Sequence, residues 1–497
     1  MQAPERVYSG LSKQQLLGRM FSNAGIYGIG VILTRLGGLM LLPIYWQKLE
    51  PADFGIIGLS QIVTIFLSPV LSLGLYDAVQ RLFFEWKAED RPRYLAALWL
   101  TSLALSFLLC LGLEIFGSVL FASVLSQVPF SPYLEVTIWT AFAVNLGLFP
   151  LTLLRVREQL KLFTLVTVAS FVTQAALILV FIFVFEMKAL GYLLGIMING
   201  LLWGGYFLYF MAREIGFPIR LAHLSEPLRY SLPTVPATVL DGMGSVFDRV
   251  FLDKYASLAV IGLYNLGNQF GAAFNSFNQI MKSSWVPLMF RVISDRSDGP
   301  AVLGRFSLYY VAALAVPALA IALLSKEIIV LFGNDRFAGI YPFVPYFVLV
   351  YYLQAVGTAM GRGLDLAKKT AYTPIVPAIT FMANLVFLWL LVPRYGVWGA
   401  IASLLITTAL RIGTHIGLAL YFYPRPIFFW RLMSVFSMAL LTFFVASRLD
   451  TGSLITDVAL KCIVILVGSV AIAWAALDWD KAMALIKRRL RKAPARR

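Results

Sequence analysis

Apolar residues along this chain do not alternate with polar ones as in a half-buried strand. They run on. Segments of roughly 17–26 residues with few charges recur from one end to the other, each near the length at which a helix crosses a bilayer core. Fourteen spans can be drawn, at about 22–46, 54–76, 94–121, 133–154, 163–185, 190–211, 230–252, 259–286, 303–325, 341–361, 372–392, 397–421, 432–448 and 454–476. The links between them are short. In hydrocarbon a helix satisfies every backbone N–H and C=O within its own segment, so the pattern predicts an all-α, multi-pass membrane protein.

Composition agrees. Of 497 residues, 60% are hydrophobic and 13% charged, and the mean hydropathy is +0.81. The leader MQAPERVYSGLSKQQLLGRM runs into a span too long for a signal-peptide core, so no cleaved signal is expected. Cys110 and Cys462 both fall within spans, which leaves no disulfide framework and no Cys/His metal cluster. The net charge of +16 is mostly a topology signal: most Lys and Arg fall in the two tails and in alternate links, while Arg35, Arg249 and Arg411 fall within spans. Both termini are therefore expected in the cytoplasm, and nucleic acid is not an expected partner. The last residues, KAMALIKRRLRKAPARR, read either as a solvated tail or as a basic helix on the inner leaflet, with Met483, Ile486 and Leu490 toward lipid.

The chain echoes itself. LEPADFGIIGLSQ opens span 2 and YASLAVIGLYNLGNQ opens span 8, setting Gly55 against Gly262. KALGYLLG opens span 6 and RYGVWGA opens span 12, setting Gly191 against Gly396. Offsets of 207 and 205 suggest a duplicated six-span unit, in parallel orientation because six is even.

Several of these stretches resemble a known family. LTRLGGLMLLPIYWQKLEPADFGIIGLSQIV is similar to the opening of bacterial polysaccharide and O-antigen flippases (Wzx-type) of the multidrug/oligosaccharidyl-lipid/polysaccharide (MOP) superfamily. RYSLPTVPATV with FDRVFLDKYASLAVIGLYNLG resembles their seventh and eighth helices, and VPRYGVWGAIASLL their eleventh and twelfth. The resemblance implies a non-enzymatic transporter of the inner membrane. It would move a polyprenyl-diphosphate-linked oligosaccharide outward by alternating access, for lipopolysaccharide or another surface polysaccharide. It implies an N-lobe (1–211), a C-lobe (212–421), two added helices (422–476) and a basic tail (477–497). Partners would be the sugar-lipid, membrane lipids and other polysaccharide-assembly proteins.

Polar residues inside the spans give the candidate site. On span 7, Thr234, Thr238, Asp241, Ser245 and Asp248 share one helical face, in a helix interrupted by Pro233, Pro236, Gly242 and Gly244. Span 8 carries Tyr264, Asn268, Gly271, Asn275, Asn278 and Lys282. Such stripes line an aqueous cavity or pack helix on helix. Arg35 and Arg411 lie near mid-span, where facing lipid costs about 2.5–3.5 kcal/mol each. Either they bind the diphosphate, with Asn268 and Asn275 beside it and Asp241 tuning them, or they form a structural ion pair with Asp241. Asp241, Asp248 and His415 are the ion-coupling candidates, Asp248 and Arg249 being expected as an ordinary interfacial pair. Gly-rich GYLLG and GNQFG lack the surroundings of a nucleotide loop, so no cofactor is expected and the energy would come from an ion or sugar-lipid gradient.

The residues also bear on three other readings. A membrane glycosyltransferase or polymerase would use acids on an outer loop, but Asp53 reads as the N-cap of span 2. A cation-coupled multidrug exporter usually places an acid in its first helix, where this chain has Arg35. A lipid II flippase usually begins Ser-Arg-x-x-Gly-x-x-Arg, from which Thr34–Gly38 departs.

Overall fold

The computed structural model describes residues 34, 37–215, 224–244, 246–294, 299–333, 335–367, 375–424 and 426–477. Among them every regular element is helical. Ten helices are long and apolar enough to cross a membrane, and they coincide with spans 2–6, 9 and 11–14; span 10 is the shorter apolar helix Val344–Met360. Span 8 is one helix of 37 residues, Leu258–Ser294, whose polar stripe keeps it below that apolar average. Span 7 is broken into Ser225–Ser231, Thr234–Gly244 and Phe247–Tyr255. The first break falls at Pro233, which withholds an N–H.

Two compact units emerge, Met1–Leu266 with Pro377–Ser403, and Gly267–Val376 with Leu404–Arg497. In the first, span 4 (Glu135–Val156) is central. It packs on spans 2, 3, 5 and 6. In its most apolar stretch 67% of residues are buried, against 17% in spans 3 and 5. In the second, span 9 (Gly299–Phe332) packs on spans 10, 13 and 14.

Local chemistry sets the ends. Pro51 occupies the first turn of span 2, where no N–H is needed. The N-cap is Glu50 rather than Asp53: Asp53 sits three residues on and its carboxylate accepts the Glu50 N–H at 2.8 Å, one half of a capping box. The position expected to carry the cap thus returns the bond instead.

The first pair of echoed glycines meets inside the first unit. A Cβ added at Gly55 would lie 2.1 Å from the Leu258 carbonyl oxygen, and one at Gly262 would lie 1.7 Å from that of Pro51. Each glycine meets the carbonyl four residues before its counterpart, so the contact is the same from either side. One turn on, Gly58 faces the Asn265 side chain, whose amide donates to the Phe54 carbonyl at 3.4 Å. At the later pair of turns the structure shifts the register. Lys188 (φ +46°) and Gly396 (φ +53°) hold the left-handed position, while Gly191 and Gly399 pack against the backbones of Phe181 and Leu391. Gly396 therefore corresponds to Lys188 rather than to Gly191, and the offset becomes 208.

Candidate functional site

Parts of the anticipated site, namely Arg35, Ser245 and the tail from Asp478, lie outside the described residues. Of Asp241 only the backbone, within Thr234–Gly244, is described. Thr234 turns its hydroxyl back to the Ser231 carbonyl at the end of the preceding segment (2.7 Å), and Thr238 turns its own onto the Thr234 carbonyl of the same helix (3.0 Å).

Arg411 is exposed on the protein surface near the middle of Val397–Phe422. His415, one turn along, is half-buried. Its ring lies over Gly361, where an added Cβ would come within 2.3 Å of Cε1. Glycine there is what admits the imidazole.

Asp248 and Arg249 are not an exposed interfacial pair. Each is 3% exposed. The Asp248 carboxylate accepts the Tyr264 hydroxyl and, at 2.9 Å, the Arg249 N–H, while Arg249 Nε is buried without a partner. Burial of a carboxylate is costly unless donors reach it, and the span 8 tyrosine supplies one.

The rest of the span 8 stripe meets tyrosines within the second unit. Asn268 Oδ1 accepts the Tyr351 hydroxyl at 3.2 Å, and Gly271 lies against the same ring. Tyr310 donates to Asn278 Oδ1 at 2.6 Å, and the Asn278 amide donates on to Asn275 Oδ1 at 3.4 Å. Asn278 is buried, whereas Asn268 and Asn275 remain half-buried. Much of this stripe is therefore helix packing, with Asn268, Asn275 and Lys282 the members that keep accessible surface.

Sequence reasoning passed over four further acidic and basic residues. Lys461 lies inside span 14 and donates to Glu327 of span 9; they are 3% and 6% exposed. Glu327 Oε2 has no donor. Glu114 within span 3 accepts the Trp139 indole N–H at 3.1 Å. Asp253, at 2% exposure, is held by the link between spans 3 and 4. A charge inside an apolar run was the available signal for Lys461 and Glu114. Only the fold could supply their partners.

Residues 20–293 match the model of a family described as polysaccharide biosynthesis protein, which is more than half of the chain. The chain belongs to that family. Among curated relatives, protein 1 of the Lsg locus of Haemophilus influenzae is 20% identical over 411 residues, 77% of this chain and 96% of that protein. Among solved structures, the lipid II flippase MurJ in an inward closed conformation aligns with a TM-score of 0.69 at 14% identity, covering 90% of this chain and 96% of its own. An inward-facing multidrug resistance MATE transporter of the MOP superfamily aligns at 0.61 and 15% identity, covering 78% and 97%. At such identities the likeness is one of fold. This polysaccharide biosynthesis protein is a multi-pass membrane protein with the helical architecture of the MOP superfamily.

Proposed function

We propose that this protein is a flippase that carries a polyprenyl-diphosphate-linked oligosaccharide from the inner to the outer leaflet of the inner membrane, for surface polysaccharide synthesis. Both termini are cytoplasmic, and residues 1–211 and 212–421 act as lobes that alternate around the cargo, with 422–476 added beside them. Membership of the polysaccharide biosynthesis family carries the reading. A cation at mid-span supports it: Arg411 is held where lipid alone would disfavour it, and a diphosphate would offset that cost. In this reading Arg35 and Arg411 bind phosphate oxygens, Asn268 and Asn275 touch the headgroup, and Asp241, Asp248 and His415 serve ion coupling. A second reading, transport of lipid II, is favoured by the likeness to MurJ.

Deletion of the gene should leave a lipid-linked oligosaccharide in the inner leaflet, identified by mass spectrometry of extracted lipids. Accumulation of a disaccharide-peptide lipid instead would select the second reading. Restoration by wild type but not by Arg411→Ala is expected, because one lost bidentate contact costs about 2–3 kcal/mol, or roughly 30–150-fold in affinity. Full restoration by both Arg35→Ala and Arg411→Ala would remove the phosphate-binding role.

A further inference from the structure

The outer end of span 7 finishes awkwardly. Asp253 lies in the last turn of Phe247–Tyr255, where the helix dipole is already negative and an acid is disfavoured. It is nevertheless buried. Its carboxylate accepts three bonds from the link between spans 3 and 4: the Ser126 N–H at 2.6 Å, the Ser126 hydroxyl at 2.8 Å and the Gln127 N–H at 3.2 Å. The Gln127 side-chain amide reaches back to the carbonyl oxygens of Asp253 and, at 2.7 Å, Ala256. Two consecutive residues of the first repeat thus satisfy both the misplaced acid and the open carbonyl end of a helix in the second.

We propose that this grip is a latch closing the outer face, which must release for cargo to leave. The proposal rests on the transport reading and on its orientation, in which the 3–4 and 7–8 links both face outward. Two residues beyond Ala256 begins the span 8 helix, whose Gly262 crosses Gly55 backbone against backbone. The two repeats therefore meet at their outer ends twice: in a dry glycine crossing and, beside it, in a polar clasp. The clasp suits reversible opening. A carboxylate, an amide and two loop N–H groups all exchange their bonds for water when parted, so release leaves none of them unsatisfied. An apolar seam would expose greasy surface instead.

The test uses the full-length protein with Cys110 and Cys462 replaced by serine. Ser126→Cys combined with Asp253→Cys should be joined by a short thiol cross-linker. Cross-linked protein in vesicles should lose transport of the sugar-lipid, and cleaving the linker should restore it. Continued transport while cross-linked overturns the latch and leaves the transport reading standing. Failure of wild type itself to move any sugar-lipid overturns the transport reading. An independent arm needs no cargo. Leu125→Cys, buried at 3% beside the clasp, should react slowly with an impermeant maleimide added outside. Adding Asp253→Ala should speed it on the order of tenfold, the loss of the carboxylate removing three bonds at once. Unchanged labelling overturns the latch even where the double-cysteine protein fails to fold.

Discussion

Asp253 in the first unit and Glu327 in the second are both acids with almost no exposed surface, and they are buried in opposite ways. Asp253 is surrounded by neutral donors, two backbone N–H groups and a hydroxyl, each of which water can replace. Glu327 is held by a cationic partner, Lys461, and keeps one oxygen without a donor. A carboxylate held by neutral donors loses little when they part. A buried ion pair that parts leaves two desolvated charges. The first arrangement suits a joint that opens. The second suits a permanent pin, and it fastens span 14, one of the two helices beyond the repeat, to span 9.

The largest expected effect tests that pin. Lys461→Ala strands Glu327 and should lower stability by about 3–5 kcal/mol, whereas Lys461→Met with Glu327→Leu should recover most of the loss. Thermal unfolding in lipid nanodiscs measures both. A double variant as weak as the single would mean that the pair matters for shape rather than for charge.

Next comes the glycine crossing. Gly262→Ala places a methyl 1.7 Å from the Pro51 carbonyl oxygen, so span 8 must shift, at about 3 kcal/mol, the upper end of ordinary overpacking. Gly396→Ala meets no atom and bears only left-handed backbone strain, about 1–2 kcal/mol. Equal losses in the same unfolding assay would show that close approach is not what glycine serves at position 262.

The tyrosines then separate charged from neutral partners. Tyr264→Phe withdraws a hydroxyl from the buried Asp248 carboxylate and should lower stability by about 2 kcal/mol. Tyr351→Phe withdraws one from half-buried Asn268 at 3.2 Å and should cost roughly 0.5–1 kcal/mol, since water can take its place.

Sequence alone located the helices well wherever apolar length decides them. Span 12, drawn at 397–421, is Val397–Phe422, and span 14 is Leu454–Ala476 as drawn. Pro233 foretold the first break in span 7, and Gly242 and Gly244 the second, which falls at Val246. Pairing was illegible. Glu327 and Lys461 stand 134 residues apart, Ser126 and Asp253 127 apart, and no local pattern joins them. Periodicity placed Asn278 correctly on a polar face but could not say that Tyr310 of span 9 would meet it. The Gly191–Gly396 match failed by three residues because φ, not residue type, defines the equivalent positions, and Lys188 holds the left-handed turn without being glycine.

The smallest expected effect completes the contrast between ion pairs. Lys48 and Glu186 join two links at 2.9 Å, with side chains 44% and 70% exposed. The hydrogen bond from the Lys48 ammonium, and then its charge, hold the Glu186 carboxyl below its usual range. An acid so shifted adds stability above its unfolded value, near 4.3, and loses it as pH falls through the lowered folded value. Water and salt screen that contribution at this exposure. Glu186→Gln should therefore leave the unfolding temperature at pH 7 within error of wild type in 0.15 M salt, in contrast to the same amide change at Glu327. Any small deficit at low salt should vanish on acidification, because protonated Glu186 and glutamine are then equally neutral. A deficit that persisted in acid would have to come from packing, and the exposed pair would belong with Glu327–Lys461 rather than opposite it.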